Sequence, residues 1–233
     1  MNSNTERGYG ARIGNAQKLV QALESFSNYQ SAKPELSITG MNQQIAAIQN
    51  LNNEVAVKKQ AYSLAVENRL KIFVKNPDSI GKMLSPINAI VKVTYGKQAK
   101  ESLDVAHIIK KMRGKNSIKS RDPEVNTISQ SYQSYNSKIQ FFADLMVNIS
   151  ASETDYNPIN PKLSVTSLRT LYDTAVTANK NVVYSHAQFV LINEKRIKTY
   201  NLLSQNAFRV KESVKAQYGN QSVEYRLIKS LFI

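Results

Sequence analysis

Cysteine is absent from this 233-residue chain, which removes disulfides, zinc–thiolate sites and thiol nucleophiles. Glycine (8) and proline (6) are scarce, too scarce for a loop-rich β-sandwich with a turn every few residues. No apolar run reaches the roughly eighteen residues that a membrane-spanning helix needs. Met1 to Gly10 is polar and lacks the apolar core of a signal peptide. Residues 1–10 are therefore expected to be a flexible lead-in, and the protein to be cytoplasmic. Acidic residues are also few. There are 17 Asp+Glu against 31 Lys+Arg, a net charge of +14. The excess is uneven: residues 1–123 carry 19 basic and 9 acidic side chains, or +10, and the remainder carries 12 and 8, or +4.

What the sequence does contain is an internal repeat. Leu36-Ser37-Ile38-Thr39 recurs as Leu163-Ser164-Val165-Thr166, an offset of 127. The same offset pairs Met41 with Leu168, Val55 with Val182, Tyr62 with Phe189, Glu67 with Glu194, Arg69 with Arg196 and Phe73 with Tyr200. Further on, the segment from Val91 through Tyr95-Gly96 to Gln98 matches Val214 through Tyr218-Gly219 to Gln221 at an offset of 123. Upstream, Ala16, Leu19, Leu23 and Phe26 fit Ile139, Phe142, Met146 and Ile149, also at 123. The length changes fall at connections, the second copy being four residues shorter near the position of Pro77. This pattern predicts a tandem duplication.

Within each copy the apolar spacing is three and four, as in amphipathic helices. The expected helices are A (11–29 and 126–150), B (39–75 and 166–202), C (79–95 and 205–218) and D (99–113, and a short one from Ser222 through Phe232). Thr39 and Thr166 are candidate caps for helix B, with Ser37 and Ser164 as alternatives. Asn52 and Asn179 fall on the apolar stripe, where an Asn in a bundle sets register. Gly96 and Gly219 read as left-handed helix ends, the rival being one kinked C–D rod. Lys115 to Pro123 is polar and basic and reads as a linker.

The predicted fold is thus all-α: a tandem duplication of a three-to-four-helix unit, in an elongated antiparallel helical bundle with pseudo-two-fold symmetry. Residues 11–114 form the first repeat unit, 115–123 the basic linker and 124–233 the second. Laying the two B helices side by side is favoured over two bundles in a row, because each B helix outruns helices A and D of its own copy.

No catalytic constellation is visible. His107 and His186 occupy non-equivalent repeat positions, and neither has a Glu three residues before it, as a di-iron bundle requires. There is no nucleophile elbow, phosphate loop or dinucleotide turn. Glu67/Arg69 and Glu194/Arg196 read as surface ion pairs, worth under about 1 kcal/mol. No catalytic, cofactor-binding or metal-binding residues are assigned, no cofactor is expected, and the chain is not expected to be an enzyme. The one candidate contact site is the run Lys110, Lys111, Arg113, Lys115, Lys119 and Arg121, which contains no acid. Cations favour a helix C-terminus through the dipole alone, and the remainder suits phosphate contact. The function expected is a non-catalytic helical interaction or scaffold protein, with a protein partner or self-association. The alternative is a sequence-nonspecific nucleic-acid-binding protein that uses the 110–121 run.

Overall fold

A computed structural model describes residues 8–114, 134–151 and 155–233. Among them there are helices and turns and no strand. The α-helices are α1 (Tyr9–Ser25), α2 (Ile38–Leu70), α3 (Ile80–Tyr95), α4 (Lys100–Arg113), α5 (Tyr135–Ser150), α6 (Val165–Tyr218) and α7 (Val223–Ile228). The linker 115–123 and the start expected for the second helix A, 126–133, lie outside the described residues.

Most helix ends follow from local chemistry. Single 3-10 turns, Pro34–Leu36 and Pro161–Leu163, lead into α2 and α6. The Oγ atoms of Ser37 and Ser164 accept from the amides of Gly40 (3.0 Å) and Ser167 (3.2 Å). The serines therefore cap these helices and the threonines do not: a hydroxyl three residues before a free N–H is placed to accept from it. Gly96 and Gly219, at φ +87° and +97°, end α3 and α6. Helices C and D are thus separate, because only glycine takes these angles without strain.

One expected break is missing. The helices expected over 166–202 and 205–218 form the single 54-residue helix α6. Residues 200–206 contain neither Pro nor Gly, and Tyr200, Leu203 and Ala207 on this stretch are buried, so packing carries the helix through its Asn and Ser residues. At the end of α2 the chain instead tightens into a π-helical turn, Lys71–Lys75. The amide of Asn76 closes it on the carbonyl of Lys71 at 2.9 Å. Pro77 follows, and the residue before a proline is pushed out of helical geometry.

The chain divides into two compact units. The first comprises residues 1–60 and 187–233, and the second residues 61–186. This division by packing cuts through α2 and α6 and does not follow the boundary between the sequence repeats. In the first unit, Ala16, Leu19, Val20 and Leu23 of α1 pack with Met41, Ile45 and Ile48 of α2, with Leu203, Val210 and Val214 of α6, and with Ile228 of α7. In the second, Phe73, Ile80, Leu84, Ile87 and Val91 pack with Val105 and Ile109 of α4, Phe142 and Leu145 of α5, and Leu168 and Ala175 of α6.

Polar contacts fix the register inside each unit. In the first, Glu35 meets Arg209 (3.4 Å), Gln44 accepts from Asn206 (3.0 Å) and Asn52 donates to the Tyr200 hydroxyl (3.0 Å). The Arg196 guanidinium lies 4.4 Å from the centre of the Tyr9 ring, and Arg12 4.9 Å from that of Tyr200. In the second unit Arg69 lies 3.9 Å from the Tyr135 ring centre and donates to Asn179 (2.9 Å), which itself donates to Asn136. The reading of Arg69 and Arg196 as surface ion-pair partners is therefore corrected. Both guanidinia stack on tyrosines, which take the flat, weakly hydrated cation that a carboxylate would otherwise hold.

Candidate functional site

The basic run is only partly described. Lys110 is exposed on α4, Lys111 lies with its Nζ 5.7 Å from the centre of the Phe141 ring, and Arg113 donates to Ser85 Oγ at 2.5 Å. Gly114, in the left-handed conformation, ends the helix. Lys115, Lys119 and Arg121 lie outside the described residues.

Around Arg113 the second unit assembles a feature that no linear spacing indicated. The π-helical turn Lys71–Lys75, the start of α3, the end of α4 and the first turn of α5 line an open cavity of about 270 Å3. Phe73, Ile80, Leu84 and Met112 provide much of its apolar wall, and Lys82, Arg113 and Lys138 its charge. Among the described residues no acid lines it. The acid nearest in sequence to α3, Asp78, is engaged by Lys162 at 2.6 Å. Lys82 and Lys138 went unnoticed because each is a single lysine in a mixed helical pattern; only the packing of three helices brings them to Arg113.

A larger cavity of about 750 Å3 lies between α5 and the start of α6. Aliphatic and hydroxyl side chains share its walls, with Arg169 as the one cation among the described residues, 5.9 Å from the centre of the Tyr172 ring.

Among the described residues, five buried polar atoms (Arg12 Nε, Asn52 Oδ1, Arg69 Nε, Asn88 Oδ1 and Arg196 Nε) make no hydrogen bond, whereas the buried side chains of Ser79, Ser102, Asn179 and Asn206 each have a structural partner. Ser79 donates to the Val74 carbonyl, Ser102 to that of Val91, Asn179 to Asn136, and Asn206 to Gln44. His107 and His186 are both exposed, the latter with its ring 5.1 Å from that of Tyr62. Among the described residues no three His, Asp or Glu side chains are grouped to hold a metal ion. No helix there is long and apolar enough to cross a membrane.

The shifted acid–base groups belong to packing as well. Burial pushes the Tyr156 hydroxyl up to about 12, and it donates to the Leu163 carbonyl at 2.9 Å. Burial also raises Tyr29, which donates to the Leu36 carbonyl at 3.1 Å. Tyr200 is raised by burial too, against the opposing hydrogen bond from Asn52. Lys211 is held below the usual ammonium range by burial, and donates to the carbonyls of Leu231 and Lys229.

No protein-family model matches this chain, and neither a similar curated protein nor a similar solved structure was found.

Proposed function

We propose that this chain is a non-catalytic helical interaction protein that associates with a protein partner or with a second copy of itself. The observation that carries the reading is the exposed apolar side chains of α6 in the first unit. Leu191 and Leu202, and again Ile197 and Phe208, stand exposed. Each pair is eleven residues apart, which returns to nearly the same helix face. Single exposed apolar residues are ordinary; two such pairs on one helix suit the helix-face recognition that partner proteins use. Light scattering across a concentration series tests self-association. Growth in mass that Leu191→Lys and Phe208→Lys abolish supports it. A strict monomer at high concentration, with no partner captured through these four side chains, defeats the reading.

The architecture belongs to the same proposal: a tandem duplication with pseudo-two-fold symmetry, in which the copies exchange their C-terminal helices. Each compact unit would then combine helix A and the start of helix B from one copy with helices C and D of the other. Support comes from matched details at the offset of 127. Tyr29 and Tyr156 both donate to a carbonyl seven residues on, at Leu36 and Leu163, and 3-10 turns precede both α2 and α6. Fragments 1–114 and 124–233 should be poorly helical alone and gain helix on mixing, read by circular dichroism. A fragment that melts cooperatively by itself would contradict the exchange.

The second reading, a sequence-nonspecific nucleic-acid binder, is favoured by the convergence of Lys82 and Lys138 on Arg113. Such binding is strongest at low salt, so a gel shift that shows none at about 50 mM salt removes it.

A further inference from the structure

We infer that the cationic cavity of the second unit is a docking pocket for an acidic segment of a protein partner, one apolar side chain of which enters the cavity while flanking carboxylates meet Lys82, Arg113 and Lys138. The inference rests on the interaction-protein reading and adds a place and a chemistry to it.

Size argues first. At about 270 Å3 the cavity falls just below the roughly 300–1,000 Å3 of small-molecule and cofactor sites. It suits a single side chain, the scale of a hot-spot pocket. The wall argues next. The apolar lining includes the exposed Val74 beside the buried Phe73, Ile80, Leu84 and Met112, so an anion alone would leave apolar surface in water.

Charge then selects the occupant. Lys82, Arg113 and Lys138 come from three different helices, and among the described residues no acid lines the cavity. Among the described residues none of the three forms an ion pair, and Arg113 is held by the neutral Ser85 hydroxyl. Carboxylates on both sides of an apolar residue complement this arrangement.

A nucleic acid fits less well. Base recognition on a single strand needs an aromatic face for stacking, and Phe73, the one aromatic among the described residues of the wall, is only 3% exposed. The cationic character is also particular to this unit. At an offset of 123 the positions of Lys82 and Lys138 hold Gln205 and Asn15, and Asn15 donates to the Phe232 carbonyl at 2.8 Å.

The test uses the full chain and three fluorescent probes read by anisotropy: the peptide Asp-Glu-Phe-Glu-Asp, the same peptide with Ser for Phe, and a dT oligonucleotide. The Phe peptide should bind at least tenfold more tightly than the Ser peptide. The double variant Lys82→Glu/Lys138→Glu, checked for unchanged helicity by circular dichroism, should weaken it at least tenfold more. Equal affinity for the two peptides overturns the inference, as does indifference to the double variant or oligonucleotide binding that the Phe peptide fails to displace. Light scattering on the same samples separates the two claims. Retained self-association with no peptide binding removes the pocket alone, whereas loss of both removes the wider reading as well.

Discussion

The two compact units handle the same stretch of chain in opposite ways. In the first, α6 runs unbroken through residues 200–206, with Tyr200, Leu203 and Ala207 buried. In the second, the helix tightens into the π turn at Lys71–Lys75, stops, and restarts at Ile80. Four additional residues and one proline make the difference. The interruption places the start of α3 beside the π turn and the end of α4, and that is where the cationic cavity lies. A smaller contrast occurs at the start of α2 and α6. A Cβ added to Gly40 would stand 2.3 Å from the Pro34 carbonyl oxygen. The equivalent Ser167 donates instead to the Pro161 carbonyl at 2.8 Å. A small local choice therefore sets how closely the chain folds back on itself.

The most damaging way to break the comparison is to give α6 the proline that ends α2. Gln205→Pro, at an exposed position, removes an interior helix hydrogen bond and should cost about 3 kcal/mol or more in urea unfolding. Pro77→Ala, in a turn already formed, should cost less than about 1 kcal/mol. Equal costs would mean that the continuity of α6 has no energetic weight.

Alkaline titration distinguishes the two matched tyrosines. Burial makes folded Tyr156 hold its proton up to about pH 12, whereas the unfolded phenol releases it near about 10. The stabilisation is complete below the unfolded value and is lost as pH rises from about 10 to 12, by about 2–3 kcal/mol. Urea unfolding at pH 8 and pH 11.5 should show this loss, and Tyr156→Phe should flatten it. Tyr29→Phe should flatten it less, since Tyr29 is only partly buried.

Gly40→Ala should destabilise by roughly 1–3 kcal/mol through overpacking against backbone, while Ser167→Ala loses one hydrogen bond worth about 1 kcal/mol. Thermal melts of the pair check this, and the reverse order would remove the assigned role of the close approach. The smallest contrast is ionic. Glu67 and Lys71 pair at 3.2 Å on exposed side chains, and no such ion pair joins Glu194 and Lys198. Glu67→Gln should therefore cost a few tenths of a kcal/mol and Glu194→Gln less, both falling within about 0.5 kcal/mol by melting.

Much of the helix inventory was legible from the chain. Gly96 and Gly219 marked helix ends, and Ser37 and Ser164 stood among the candidate caps. The reading failed where a neighbour decided the outcome. Arg69 and Arg196 looked like charges facing solvent, because nothing in their own helices announces that Tyr135 and Tyr9 will cover them. Arg113 was legible as part of a basic run, but Lys82 and Lys138 were not, since they meet it only after three helices have packed.

By itself the sequence determined the helical class, most helix boundaries and the charge imbalance, because apolar period, proline position and glycine conformation act over a few residues. Tertiary structure alone decided that α6 would be continuous, which helices share a core, and that three separate cations would surround one apolar cavity. Hydrophobic burial is non-directional, so one apolar stripe can cover any other, and the choice among them depends on packing and connection lengths across the whole chain.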